Sequence, residues 1–529
     1  MGTNMATGSK HRTSLKLLGV VALLMAMLPI STALAAPAAT ACDNRTNNTY
    51  AGLLECVSVE GVREHQAALQ DVADEHGGNR AAGLPGYDAS VAYVVDVLEA
   101  AGWDVELDVF DFEYFPPVFI TQLTPVSAAY PSGSFVGGAV GTVTGTVIPV
   151  DISLVPPRAS TSGCEAADFA GLDFSGPNDI ALIQRGTCNF SVKVVNAEAA
   201  GAEAVIIFNQ GNDPTREALI VGTLAPFVAT IPVVGASFAD GVALAAAGST
   251  ATVAVLPSEN RPQVNVIAEL EGKNDDNVVM AGAHLDSVPA GPGINDNGSG
   301  SAALLEIAEA LGKLKPENTL RFAWWGAEEE GLLGSQAYVD GLSQAELDRI
   351  ALYLNFDMVG SPNYIFMVYD SDESGFEAPV TIPEGSIAIE DVFESYYTLV
   401  GEPYDDAEFS GRSDYEAFIL EGIPSGGLFT GAEEPKTAEQ AAIWGGTAGA
   451  QLDPCYHLAC DTYDNVSLHA LDVNVDAIAF AILTYAYSTE TVNGVEGEQV
   501  PGHFVIPAPA GPEGTVGADG GLRSRPMAA

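Results

Sequence analysis

"NVVMAGAHLDSVPAGPGINDNGSGSAALLEIAEALGKLKPENTLRFAWWGAEEE", residues 277–330, holds two apolar runs with an amphipathic segment between them. Residues 277–283 read as a buried strand that stops at His284 and Asp286. A loop of Gly, Pro, Asn and Asp follows, and then helical spacing of apolar positions over residues 300–314. The second run, 320–325, ends in three adjacent carboxylates, Glu328, Glu329 and Glu330. Strand, helix and strand in this order predict a βαβ unit of a mainly parallel sheet.

The pattern extends on both sides. "IALYLNFDMVG" (350–360) is a third buried strand, ending at Asp357. Upstream, residues 59–76 have helical spacing, and 77–115 read as turn, helix, Gly102 stop and strand. Between them the texture changes to short Val- and Thr-rich runs punctuated by Gly, as in "VGGAVGTVTGTVIPVDISLV" (136–155). The predicted fold is therefore α/β: a doubly wound mixed, mainly parallel sheet flanked by helices, interrupted by a β-rich insert. The expected division is 36–116 and 259–490 for the main domain, 117–258 for the insert, and 491–529 for a flexible Gly-, Pro- and Val-rich tail.

Residues 1–35 read as a secretory signal peptide. Lys10, Arg12 and Lys16 precede the apolar run "LLGVVALLMAMLPI", and "ALAA" supplies small residues for cleavage after Ala35. No other stretch is expected to cross a bilayer, so a secreted chain without a membrane anchor, extracellular or periplasmic, is predicted. Six cysteines fit an oxidising compartment, and proximity pairs them 42–56, 164–188 and 455–460. With 70 acidic against 20 basic residues the net charge is −50, which argues against nucleic acid or anionic lipid as partners. Such a shell fits salty surroundings, where ions screen self-repulsion.

Carboxylates crowded at a strand end are costly unless a positive group sits among them. His284, Glu328, Glu329 and Asp357 all stand where apolar strands stop, which in open α/β sheets is the ligand crevice. Asp296 lies in a turn feeding a helix, and His457 lies in "DPCYHLACD" (453–461). Imidazole with carboxylate is a zinc donor set. Two His and three acids, one of them shared, would give each of two metals three protein ligands and an open position. His65 and His76 read as structural or surface residues.

These motifs, with "GRSDYEAF" (411–418), "GGLFTGAEEPKT" (426–437) and "CYHLACDTYDN" (455–465), resemble the secreted di-zinc aminopeptidases of peptidase family M28. The insert resembles a protease-associated (PA) domain through "GCEAADFAG" and "IALIQRGTCNF". The resemblance implies that His284, Asp296 and Asp357 hold one zinc and that Asp296, Glu329 and His457 hold the other. It makes Asp296 the bridge and places Asp286 behind His284, fixing its imidazole. It implies Glu328 as general base and the Tyr456 phenol as oxyanion donor, while Glu330 is a solvated side chain.

Glu328, Asp357 and the backbone around Arg412 would then grip a free α-ammonium. Met358 and Phe429 would wall an apolar pocket, so peptides with a large apolar first residue and a free N-terminus are the expected substrates, acted on by a monomer. The resemblance also carries a calcium site at positions like Asp472 and Asp476, but Cys56 stands at its third position, which argues against calcium. A glutaminyl cyclase of related design would use one zinc, and a non-catalytic relative would lack ligands; the complete set argues against both. The insert, with no catalytic set of its own, is expected either to shade the cleft, restrict substrate size or bind a partner, or to be a purely structural lid.

Overall fold

The computed structural model describes residue 42 and residues 45–512; the expected signal peptide and the end of the tail lie outside the described residues. In the unit that begins at Arg45, the main sheet has eight strands. Their spatial order is Asp104–Tyr114, Glu259–Leu270, Asn318–Trp325, Asn274–His284, Ile350–Phe356, Ser425–Phe429, Met367–Tyr369 and Asp405–Ala407. Asn274–His284 runs parallel to both Asn318–Trp325 and Ile350–Phe356, with His284 in register with Trp325. The C-terminal ends of these three strands therefore lie side by side.

Alternation along one strand shows why the sheet is covered on both faces. The Trp324 indole donates to the Ser301 carbonyl of helix Gly298–Leu311. Its neighbour Trp325 packs on Tyr338 of helix Leu333–Gly341 and Phe418 of helix Tyr415–Leu420. The helix predicted near 59–76 is Val59–Glu75, N-capped by the Ser58 hydroxyl. The next is Pro85–Ala101, closed by Gly102 at φ 91°, a left-handed conformation that glycine adopts without a Cβ clash.

A second sheet of nine strands is built entirely from residues between Phe119 and Val255. Its centre, Gly141–Val150, Asp179–Gln184, Ala204–Phe208 and Val233–Ala236, is parallel. The chain enters and leaves it through one antiparallel ribbon, in which Tyr114 pairs with Glu259. Disulfides join Cys164 to Cys188 and Cys455 to Cys460, Cys42 and Cys56 are also disulfide-bonded, and no cysteine among the described residues is free.

Two expectations need correction. Helix Leu468–Tyr487 is long and apolar enough to span a membrane, contrary to the reading that nothing beyond the leader is, but 67% of its apolar window is buried inside the protein. In its C-terminal half, Ala477–Leu483 is apolar and buried throughout, as a helix in a domain core is. The segment expected as a flexible tail is also held down as far as residue 512. Glu490–Asn493 is helical, Phe504 packs on Tyr50 and Phe480, and the Gly511 N–H donates to the Tyr404 hydroxyl.

Candidate active site

The five side chains expected as ligands meet at the C-terminal edge of the main sheet. His284 ends its strand, Glu328 and Glu329 follow Asn318–Trp325 across a bend at Ala327 (φ 57°), and Asp357 follows Ile350–Phe356. Asp296 lies just before Asn297, whose side chain caps helix Gly298–Leu311 by accepting the Gly300 N–H. His457 reaches in from the loop closed by Cys455–Cys460.

Asp296 sits between the two imidazoles. Its Oδ1 is 3.3 Å from His284 Nε2 and its Oδ2 is 3.3 Å from His457 Nε2. Asp357 Oδ1 lies 3.3 Å from His284 Nε2, and Glu329 Oε2 lies 3.0 Å from His457 Nε2. Two three-residue clusters result, each able to hold an ion: Asp296, Glu329 and His457, and His284 with Asp357 and Glu328. The second contains Glu328, whose Oε2 lies 3.9 Å from His284 Nε2, where the sequence reading has Asp296 as the expected ligand; Asp296 Oδ1 is nevertheless nearer to that nitrogen, at 3.3 Å.

Two observations fit a cation here. Glu329 Oε1 is buried without a hydrogen-bond donor, and Asp357 Oδ1 has only the His284 imidazole, at 3.3 Å and without good hydrogen-bond geometry, an arrangement that is costly for carboxylate oxygens unless something positive is nearby. The donors are imidazole nitrogen and carboxylate oxygen, the set that suits zinc. The electrostatics of the metal-free site point the same way. Burial pushes Glu328 well above the usual carboxylate range, with Asp357 and Asp414 adding to it. Burial and the Asp296 charge raise Glu329 to about 7. Burial would lower both histidines, but the carboxylates outweigh it: His284 is raised well above its usual value and His457 to about 10. Protons thus take the place that a divalent cation would relieve.

The supporting residues differ from expectation in one respect. His284 Nδ1 is 3.1 Å from the Asp286 backbone carbonyl, not its carboxylate, whose Oδ1 is 3.8 Å away. The fully buried Asp286 carboxylate instead accepts the N–H groups of Glu328 (3.1 Å) and Glu329 (3.3 Å). It therefore orients the bend that carries Glu328 and Glu329.

Other supports escaped the sequence reading. Asp461 accepts the backbone N–H groups of Asn295 (2.9 Å) and Asp296 (3.0 Å). The Ser413 hydroxyl donates to Asp357 Oδ2 at 2.7 Å. Arg80, fully buried, donates to the carbonyls of Leu285, Pro292 and Gly293, pinning the loop between His284 and Asp296. Asp461 stands within "CYHLACDTYDN", four residues after His457, and that proximity is a usable signal. Arg80 carries no signal beyond being a lone cation among small residues.

A cavity of about 870 Å³ opens over the cluster, lined by the carboxylates, Arg412, Tyr456 and an apolar wall that includes Met358, Met367 and Phe429. Tyr456 stacks on the His457 ring at 3.8 Å between centroids, and Arg412 Nη2 donates to its hydroxyl at 3.2 Å. Arg412 is itself paired with Glu433 at 3.0 Å. Glu330 is exposed. Asp472 and Asp476 gather no three-ligand cluster among the described residues, and Asp476 bonds to Tyr396.

Comparison with known proteins agrees with this architecture. Residues 265–482 match Peptidase family M28, and residues 143–244 match the PA domain. An aminopeptidase of Pseudomonas aeruginosa is 46% identical over 456 residues, 84% of either chain. The leucine aminopeptidase 2 of Arthroderma otae is 41% identical over 426 residues, covering 79% of this chain and 82% of that protein. Among solved structures, a zinc aminopeptidase from Bacillus subtilis is 26% identical with a TM-score of 0.57, covering 80% of this chain and 94% of that one. An aminopeptidase from Aneurinibacillus sp. strain AM-1 is 29% identical with a TM-score of 0.51, covering 86% and 97%. With relatives this similar over most of their length, and with the metal-type cluster at its strand ends, the chain belongs to peptidase family M28.

Proposed function

We propose that the protein is a secreted zinc aminopeptidase that removes large apolar residues from the free N-termini of peptides, using two zinc ions per chain. The observation that carries this reading is Asp296, whose two oxygens each face a different imidazole at 3.3 Å, as a carboxylate shared by two ions would. In this reading His284, Asp296 and Asp357 hold one zinc, and Asp296, Glu329 and His457 the other. Bound zinc would acidify the attacking water and polarise the first peptide carbonyl.

The chain's own residues supply the rest. Glu328, buried at the cavity beside His284, takes a proton from the attacking water and returns it to the departing amine. Arg412 donates to the Tyr456 oxygen, so the phenol keeps its own proton free to meet the carbonyl oxygen as charge builds there. Asp357 and Glu328 attract the α-ammonium, with the backbone around Arg412 beside them. Met358 and Phe429 face the first side chain. Export is supported by the disulfides.

Aminoacyl p-nitroanilides with free and acetylated amino groups test the proposal. Free leucyl substrate should be cleaved, chelation should abolish cleavage and zinc restore it. Equal rates on the acetylated substrate would sink the exopeptidase reading.

A further inference from the structure

A second cluster of imidazole and carboxylates lies away from the cavity. His65, Glu306 and Glu309 bring one ligand atom each within 4.8 Å of the others, and none of them lines the cavity. His65 is on helix Val59–Glu75, while Glu306 and Glu309 are on helix Gly298–Leu311. Positions three apart share a helix face. His65 and Glu306 are buried, whereas the Glu309 side chain is 49% exposed, so the cluster is open to solvent on one side.

The geometry is that of ligands around an ion. His65 Nδ1 is engaged with the Tyr93 hydroxyl at 2.7 Å, which leaves Nε2 to face Glu309 Oε2 at 3.4 Å. That separation is longer than an ordinary N–H···O hydrogen bond. It is close to the 3.0–3.3 Å between imidazole nitrogen and carboxylate oxygen in the active site. Two ligands at zinc-like bond lengths around a tetrahedral ion lie roughly 3.3–3.4 Å apart.

Glu306 is held in place by its surroundings. Its Oε1 accepts the Ser58 N–H at 2.9 Å and the Ser58 hydroxyl at 3.2 Å. A Cβ on Gly61 would collide with its carboxylate. Glycine weakens a helix interior relative to alanine, so its presence at 61 is explained by the room it makes for Glu306. Burial raises the Glu306 carboxyl and Glu309 adds to it, a repulsion that a cation would remove.

We propose that His65, Glu306 and Glu309 bind a further zinc-type divalent cation that clasps helix Val59–Glu75 to helix Gly298–Leu311. An imidazole donor favours zinc-type ions over calcium or magnesium, which take oxygen ligands. The clasp sits beside the support of the active site. Gln66, next to His65, donates to the Ile294 carbonyl at 3.0 Å, and helix Gly298–Leu311 begins two residues after Asp296. The ion is structural, and its three protein ligands leave a position for solvent.

Equilibrium dialysis of the full chain against buffered free zinc, with metal counted per chain, tests this by difference. The wild type should hold one more equivalent than His65→Gln at the same free zinc. kcat and KM on leucyl p-nitroanilide should be equal, and the rise in Tm on adding zinc should be smaller in the variant. Glu309→Gln, at a half-exposed position, should behave the same way and stands in if His65→Gln does not fold. Equal metal counts in wild type and variants would overturn the site. Because the comparison is between chains, it is independent of how many ions the catalytic cluster holds.

Discussion

Glu328, Glu329 and Glu330 are consecutive, yet they meet three environments. Glu330 is exposed, Glu329 has one oxygen on His457 and one without a donor, and Glu328 is buried at the floor of the cavity. The positive φ at Ala327 and the two N–H groups held by Asp286 turn the chain so that neighbours diverge. The base assignment predicts that Glu328→Gln keeps its zinc and loses about 10²–10⁴-fold in kcat; unchanged turnover in a metal-replete variant would overturn it. Asp461→Ala, which frees the two N–H groups before the bridging carboxylate, is expected to weaken zinc binding by roughly 10–100-fold, read by competition with a chelating dye. His284, Glu329 and Asp357 are legible as candidate ligands because each stands where an apolar strand stops; Asp296 and His457, in loops that are polar anyway, are legible through their donor chemistry and the resemblance to the M28 motifs. Asp286 is legible as a residue behind His284, but its actual partners, the Glu328 and Glu329 N–H groups, are not; Arg80 and Asp461 are missed altogether, because contacts to backbone N–H and C=O groups leave no mark on periodicity.

At the scale of elements, the sheet edge supplies three of the ligand positions on rigid strands, while His457 depends on a short loop. That loop is closed covalently by Cys455–Cys460, and its histidine has a side chain 42% exposed, far more than His284. A ligand on a solvated loop binds well only if the loop is confined beforehand. The paired Cys455→Ser and Cys460→Ser variant should therefore fold, judged by an unchanged far-UV spectrum, but need more free zinc for half-maximal activity. The helices are legible from their 3.6-residue spacing. Residues 491–512 are not, because Gly and Pro hide the single aromatic that anchors them: Phe504 against Tyr50 and Phe480. Burial of a phenylalanine contributes about 1.5–3 kcal/mol, so Phe504→Ala should lower unfolding free energy by up to that amount in urea titrations. No change would mean that the segment is not held in solution.

At the scale of the molecule, the acidic excess is not only a surface property. Glu390, Glu394 and Asp406 are buried together, with Asp370 and Asp372 alongside. Burial, reinforced by neighbouring carboxylates, raises Glu390 to about 9, Glu394 to about 8 and Asp406 to about 7. A carboxyl whose affinity for protons is higher in the folded chain than in the unfolded one makes folding take up protons. Stability then falls as pH rises from the unfolded value near 4 to the folded value. The expected window for this loss is thus from about pH 4 to about 9, steepest at mildly acidic to neutral pH, where the unfolded chain has lost all three protons and the folded one still holds them, and flattening above about pH 7 as each group ionises in turn. Repulsion within a chain of net charge −50 acts in the same direction and is screened by salt. Melting temperatures at pH 6, 7, 8 and 9 should decline, and added salt should raise them most at pH 9. The paired Glu390→Gln and Glu394→Gln variant separates the two causes. If the buried cluster dominates, the decline with pH flattens in that variant at any salt; if only salt flattens it, the surface charge is responsible and the buried carboxylates are not.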